Sequence, residues 1–240
     1  MLTYELLKDK AREFLAATGL KHEEFTKLLP AFARAYEALY PPDHTQEGHP
    51  RHRQPGGGAK GGLRTMEEKL LFILVYQKTY PLQTMHGLQF GLSQPQTNYW
   101  IQRLLPVGQR ALADLHLTPE RDASKVARSP LSRERAPDLL IDGTERRRQR
   151  PQAAELQKAH SSGKKKAHAD KNGRLVNEHT GKVSYLSPTV AGKPHDKKVA
   201  DHAAITFPAS ATLSKDPGFQ GYEPAGVLTV QPKKSPKARS

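Results

Sequence analysis

There is no cysteine among the 240 residues. That excludes disulfide scaffolds, thiolate zinc sites and thiol catalysis together. Long apolar runs are missing too. The longest, Leu70 to Tyr76, has seven residues, far short of the roughly 20 that a membrane helix needs. No charged-then-apolar stretch opens the chain, so export is not expected. Aromatic residues are scarce, at 7%, and no stacking-rich motif is present, which counts against a basic RNA-binding accessory protein. Acidic residues are outnumbered, 24 against 38 Lys and Arg, for a net charge of +14. The excess points to a polyanionic partner, nucleic acid before an acidic membrane surface. With 36% apolar residues, the chain can build one modest core or two small ones.

What is present falls into two grammars. Residues 1–40 carry apolar residues at three- and four-residue spacings (Leu2, Leu6, Leu7, then Phe25, Leu28, Leu29, Phe32), which predicts helix. Pro41-Pro42 ends that segment. Residues 41–63 read as a flexible linker, with five glycines among residues 56–62. Residues 64–118 predict three helices. The first, from Thr65, has an apolar face and stops at Pro81. The second spans Leu82 to Gly91. The third opens at Ser93, whose S-x-x-Q spacing to Gln96 is that of a capping box, and Pro106 kinks or ends it. Residues 119–137 are polar and connecting. From Asp138 the pattern changes to short β-runs: Asp138–Thr144, about Lys166–Asn177, and Lys182–Leu186 after a His179-Thr180-Gly181 turn. A helix over His195–Ile205 follows, with Asp196 as N-cap, then a strand at Ala211–Ser214. The fold class is therefore α+β: an all-α region followed by a mixed αβ domain over residues 137–232, with a basic tail at 233–240.

Three features carry chemistry. The three-helix block resembles a helix-turn-helix, whose last helix presents its N-terminal residues to base edges in the major groove. Here those are Gln94, Gln96, Thr97 and Asn98, and amides pair bidentately with adenine while a Thr methyl meets thymine. The bland alternative is an ordinary three-helix bundle with a polar end, Trp100 being core. Second, Asp142 and Asp216 each close a strand, 74 residues apart. If those strands are neighbours, two carboxylates meet at one edge and invite a divalent cation; otherwise both are turn residues. Third, residues 146–166 hold Arg146, Arg147, Arg148, Arg150, Lys158, Lys164, Lys165 and Lys166 against Glu155 alone, half of the net charge. That run either tracks phosphates or is merely solvated. Asp170-Lys171-Asn172-Gly173 reads as a turn or bulge.

Four stretches, IDGTERRRQRP (Ile141–Pro151), SGKKKAHADKN (Ser162–Asn172), LSPTVAGKPHDKKVAD (Leu186–Asp201) and KDPGFQGYEP (Lys215–Pro224), resemble bacterial DDE transposases of the fifth insertion-sequence family, on its Harbinger-like branch. The resemblance covers roughly residues 1–232. It implies a ribonuclease-H-like nuclease domain, with Asp142 and Asp216 as the first two catalytic, metal-binding acids and Asp196 structural. It implies Mg²⁺ or Mn²⁺, double-stranded DNA at transposon ends and at the target, strand cleavage followed by strand transfer, no membrane, a homo-oligomer when active, and a nucleoid-associated place in the bacterial cytoplasm.

The departures are as informative. The family's third acid, a Glu on a later helix, has no match in the 24 residues after Asp216, where Glu223 occupies a different motif position. Gly173 stands where the family carries an apolar residue, and Pro217 removes an N–H beside Asp216. The chain reads as an incomplete nuclease domain, either a first-frame product or a degenerate remnant. The alternative of another class is a non-catalytic DNA-binding protein or transposition inhibitor acting through residues 65–115.

Overall fold

The computed structural model describes residues 1–44, 49–50, 62–133, 138–163 and 166–232. Most of the expected linker and all of the basic tail lie outside them. The chain divides into two compact units, Met1–Leu117 and Thr118–Ser240, one helical and one built on a mixed sheet, so the fold is α+β.

The first unit contains α1 (Tyr4–Leu7), α2 (Ala11–Thr18), α3 (His22–Leu39), α4 (Met66–Thr79), α5 (Gln83–Phe90) and α6 (Gln94–Asp114). Thr65 starts α4 with a reciprocal cap: its hydroxyl accepts the Glu68 N–H at 3.2 Å, and the Glu68 carboxylate accepts the Thr65 N–H at 3.3 Å. The single apolar face expected of α4 is absent. Leu70, Leu71, Phe72 and Ile73 are buried in succession, because this helix is wrapped on all sides. Phe14, Phe25 and Phe32 from the first 40 residues share one core with Phe72, Ile101 and Leu104, so segments 1–40 and 64–118 pack together. Arg103 of α6 lies 3.5 Å from the Tyr40 ring centroid and clasps α6 to the end of α3. Pro106 does not end its helix; α6 runs eight residues further. Proline forfeits one backbone bond there, and burial of Leu104, Val107 and Ala111 on either side outweighs that loss.

The second unit opens with residues expected to be mere connection. They form a 3-10 turn, Ala123–Arg128, and α7 (Pro130–Arg133), and Val126 enters the core. Then follow β1 (Asp138–Arg147), α8 (Ala154–His160), β2 (Ser161–Ser162), β3 (Ala167–Asn177), β4 (Val183–Leu186), β5 (Val190–Ala191), α9 (Asp196–Ala203), β6 (Thr212–Lys215) and β7 (Leu228–Val230). The expected strand–strand–strand–helix–strand order is present, with α8, β2, β5 and β7 added, α8 within the segment expected to be only basic and polar. β1 is central. β3 runs antiparallel to it, β6 parallel on its other side, and β7 parallel to β6; β2, β4 and β5 flank the far side of β3. Residues 170–173 are not a turn. They continue β3 in register, Asn172 opposite Thr144 and Gly173 opposite Gly143.

Alternation along β1 sends Leu139 and Ile141 to a core shared with Leu175, Tyr185, Leu213 and Ala200 of α9. Gly143 and Glu145 continue this face, and Leu140, Asp142 and Thr144 occupy the other. Gly143 is required: a Cβ there would stand 2.5 Å from an Asp196 carboxylate oxygen. His195, not Asp196, is the N-cap of α9, and Asp196 is its first helical residue. Set there, its carboxylate reaches the sheet instead of capping its own helix.

Candidate nucleic-acid interface and acidic centre

In the first unit, α5 is followed by the three residues Gly91–Ser93 and then by α6. Gly91 is left-handed (φ +67°) and ends α5. Where the two helices cross, Gly87 has no room for a side chain, since a Cβ would lie 2.5 Å from the Leu92 carbonyl oxygen and 2.6 Å from Thr97 Oγ1. Gln94, Gln96 and Asn98 are exposed at the N-terminus of α6. Thr97 is not. It is fully buried, with its hydroxyl donating to the Ser93 carbonyl at 2.9 Å; the helical turn that exposes its neighbours points it at Gly87, so it does not contact bases. The exposed amides are already ordered. The Gln96 side chain accepts the Ser93 N–H at 3.0 Å, Gln94 donates to Gln83 at 2.6 Å, and Gln83 donates to Asn98 at 3.0 Å. Gln83, on α5, joins this row without any signal in the amino-acid pattern, because its role exists only once α5 crosses α6.

In the second unit the basic run is exposed on the distal half of β1 and beyond. Arg146 donates to Asn172 and Thr189, Arg148 to Asp170, and Arg150 to Gln157. Lys158 sits 3.8 Å from Glu155, and Lys166 is exposed. Lys164 and Lys165 lie outside the described residues. An open cleft of about 890 Å³ is lined by Arg150, Lys158, Lys193, His168 and His195, with Glu145, Lys171 and Asp196 among its walls.

Asp142 lies within β1, and Asp216 follows the end of the neighbouring strand β6. Ile141 of β1 pairs with Lys215 of β6 in parallel register, so Asp142 and Asp216 are the residues that come next after this pair. Their carboxylates have different tasks. Asp142, inside β1 rather than at its end, is bound by the Arg174 guanidinium directly across on β3. Asp216 caps the 3-10 turn Pro217–Phe219 by accepting the Gly218 N–H at 2.9 Å. Pro217 occupies the first position of that turn, where its missing N–H costs nothing. Glu223 is held by the Lys215 ammonium and the Thr229 hydroxyl, which keep its carboxyl below the usual range.

A second acidic group escaped the sequence reading. The Lys171 ammonium is buried between Glu145 at 3.1 Å and Asp196 at 3.0 Å, and it also donates to the Pro194 carbonyl at 2.8 Å. Glu145 accepts the Ser162 hydroxyl at 2.8 Å. The other Asp196 oxygen faces Gly218: a Cβ on that glycine would lie 3.1 Å from it and 2.9 Å from Asp216. Asp196 and Asp216 therefore converge on one glycine gap. These residues fall short of a two-ion centre. Arg174 already pairs with Asp142 and Lys171 is shared by Glu145 and Asp196, and among the described residues no group of three or more His, Asp or Glu side chains is placed to hold a metal.

No family model matches this chain, and neither curated proteins nor solved structures yield a match.

Proposed function

We propose that this protein binds double-stranded DNA in the manner of an insertion-sequence transposase, with α6 in the major groove and the β1 arginines on the phosphates. The observation that carries this reading is the ordered, exposed amide row Gln94, Gln96 and Asn98 behind a three-residue turn. Ordered amides lose little freedom on pairing with a base edge, and the charge of +14 supplies attraction that does not depend on sequence. The test is selection of a preferred duplex from random DNA, followed by titration. Asn98→Ala is expected to cost about 1–3 kcal/mol and to relax preference at one base position. Arg147→Ala should weaken all duplexes alike and lower the salt slope by about 1. Absence of duplex binding at low salt sinks the proposal.

Strand cleavage and transfer by Asp142 and Asp216 with Mg²⁺ or Mn²⁺ is the second reading, favoured by the parallel β1–β6 register that makes the two acids neighbours. Against it stand the Arg174 and Lys171 cations that already pair with the nearby acids, so the chain by itself is expected to bind DNA without cutting it. Nicking of supercoiled DNA that needs a divalent ion and disappears in Asp142→Asn would overturn that expectation.

A further inference from the structure

Three side-chain amides at the starts of α5 and α6 form one hydrogen-bonded chain. Gln94, the first residue of α6, donates from its Nε2 to Gln83 Oε1 at 2.6 Å, and Gln83 Nε2 donates to Asn98 Oδ1 at 3.0 Å. Gln83 stands one turn before Gly87 on the same side of α5, so the close crossing at Gly87 sets it against α6. Gln94 and Asn98 are four residues apart and share one side of α6, which lets a single amide reach both. Gln83 is half-buried, and both its partners are exposed. Its oxygen serves one neighbour and its nitrogen the other, so the two ends of the chain are unequal. Gln94 keeps its Oε1, an acceptor, and Asn98 keeps its Nδ2 with two N–H donors. Among the described residues neither of these two atoms has a hydrogen-bond partner. Gln96 stands outside the chain, because its Oε1 is taken by the Ser93 N–H and hydroxyl.

We propose that Gln83 is a positioning residue that fixes which kind of base each end of this chain accepts. Its role rests on the DNA-binding mode proposed for α6, with that helix in the major groove. There, adenine and cytosine present an amine, and guanine and thymine a carbonyl oxygen. Every base pair joins one amino base to one keto base, so such a contact reads which strand carries the amine. The free Gln94 oxygen suits an amino base, and the free Asn98 amine suits a keto base. Four residues of helix span ~6 Å against ~3.4 Å per base step, so the two ends address different base pairs. An amide in the middle is what keeps the ends opposite in character. A side chain that only accepts turns both ends to oxygen, and one that only donates turns both to nitrogen.

The test is selection from random duplexes by the full chain and by its Gln83→Glu, Gln83→Lys and Gln83→Leu variants. The wild type is expected to prefer an amino base at one position and a keto base at another. Glu accepts from both neighbours, which turns the Asn98 oxygen outward and changes the keto position to an amino one. Lys donates to both, which turns the Gln94 amine outward and changes the amino position to a keto one. Each switch is expected to reverse a preference of about tenfold. Leu does neither and should flatten both preferences. The added charge of Glu or Lys moves the affinity for all duplexes alike and does not exchange one base for another. Duplex binding with the same base preferences in the Glu and Lys variants overturns the role of Gln83 and leaves DNA binding by α6 in place. No duplex binding by the wild type overturns both. In the free wild-type protein, nuclear Overhauser contacts are expected from the Gln94 side-chain amide protons to Gln83 and from those of Gln83 to Asn98. Their absence overturns the chain of amides whatever the variants do.

Discussion

Lys171 and His86 illustrate opposite ways of placing a titratable group inside this protein. The Lys171 ammonium is matched by two carboxylates and a carbonyl. Removing it strands two carboxylates with little access to water, and breaking a buried pair from one side typically costs about 3–5 kcal/mol. Lys171→Met is expected to lose that much in urea unfolding. Lys171→Met with Glu145→Gln and Asp196→Asn should recover most of it, and equal losses in both would show that the charges do not matter there. His86 is fully buried among Phe72, Tyr76 and Phe90. Its Nε2 lies 3.2 Å from the Phe72 carbonyl oxygen. Burial lowers its pKa from 6.5 to about 4, so the folded state holds the neutral ring. The unfolded chain takes up the proton first. Stability is therefore complete above pH 6.5 and falls as the pH drops towards 4, by up to about 3 kcal/mol. Unfolding at pH 7.5 and 4.5 checks this. His86→Phe should flatten the difference, and an unchanged pH dependence in that variant would assign the loss to other groups.

Between neighbouring elements, the decisive features are absences of side chains. Gly87 lets α5 cross α6, and a methyl there meets a backbone oxygen that cannot step aside. Gly87→Ala is expected to cost about 1–3 kcal/mol and to weaken DNA binding by tilting α6; full affinity in that variant would separate helix angle from recognition. Such crossings explain what the sequence could and could not disclose. Helices α4, α5 and α6 were legible because their start and stop signals are local: Thr65 with Glu68, Gly91, and Ser93 with Gln96. Strands β1, β3, β4 and β6 were legible as short apolar runs, and the neighbouring positions of Asp142 and Asp216 followed once β1 and β6 were paired. Thr97 was misplaced because the identity of a polar residue does not say which side of its helix faces a glycine. The Lys171 cluster was invisible because Glu145 and Lys171 become partners only through antiparallel register, and Asp196 joins them only through the packing of α9. Asp170–Gly173 has the composition of a turn, yet pairing with β1 along its whole length holds it in a strand.

At the scale of the whole chain there are two cores with no residue in common, one on Phe32, Phe72 and Leu104, the other on Leu139, Leu175 and Leu213. Calorimetry is expected to resolve two transitions. Leu104→Ala, which empties a fully buried site at a typical cost of about 2–5 kcal/mol, should lower the midpoint of one and leave the other in place. A single transition shifted as a whole would join the cores. No helix among the described residues is long and apolar enough to cross a membrane. The charge is the other molecular-scale property, since +14 on 240 residues makes any association with a polyanion strongly salt-dependent.

The parallel pairing of β1 with β6 also sets an order in time. β3 meets β1 through a connection of about 20 residues, whereas β6 must return across β2 to β5 and α9 before Leu213 can lie beside Leu139. Closing the longer loop costs more chain entropy and rewards it later. The β1–β3 ribbon, carrying Asp142 with Arg174 and Glu145 with Lys171, is thus expected to form before β6 docks, and pulsed hydrogen exchange in which β6 amides are protected first would reverse that order. Asp142 is therefore expected to be in place before Asp216, which follows β6 and is brought in by the last strand to pair with β1.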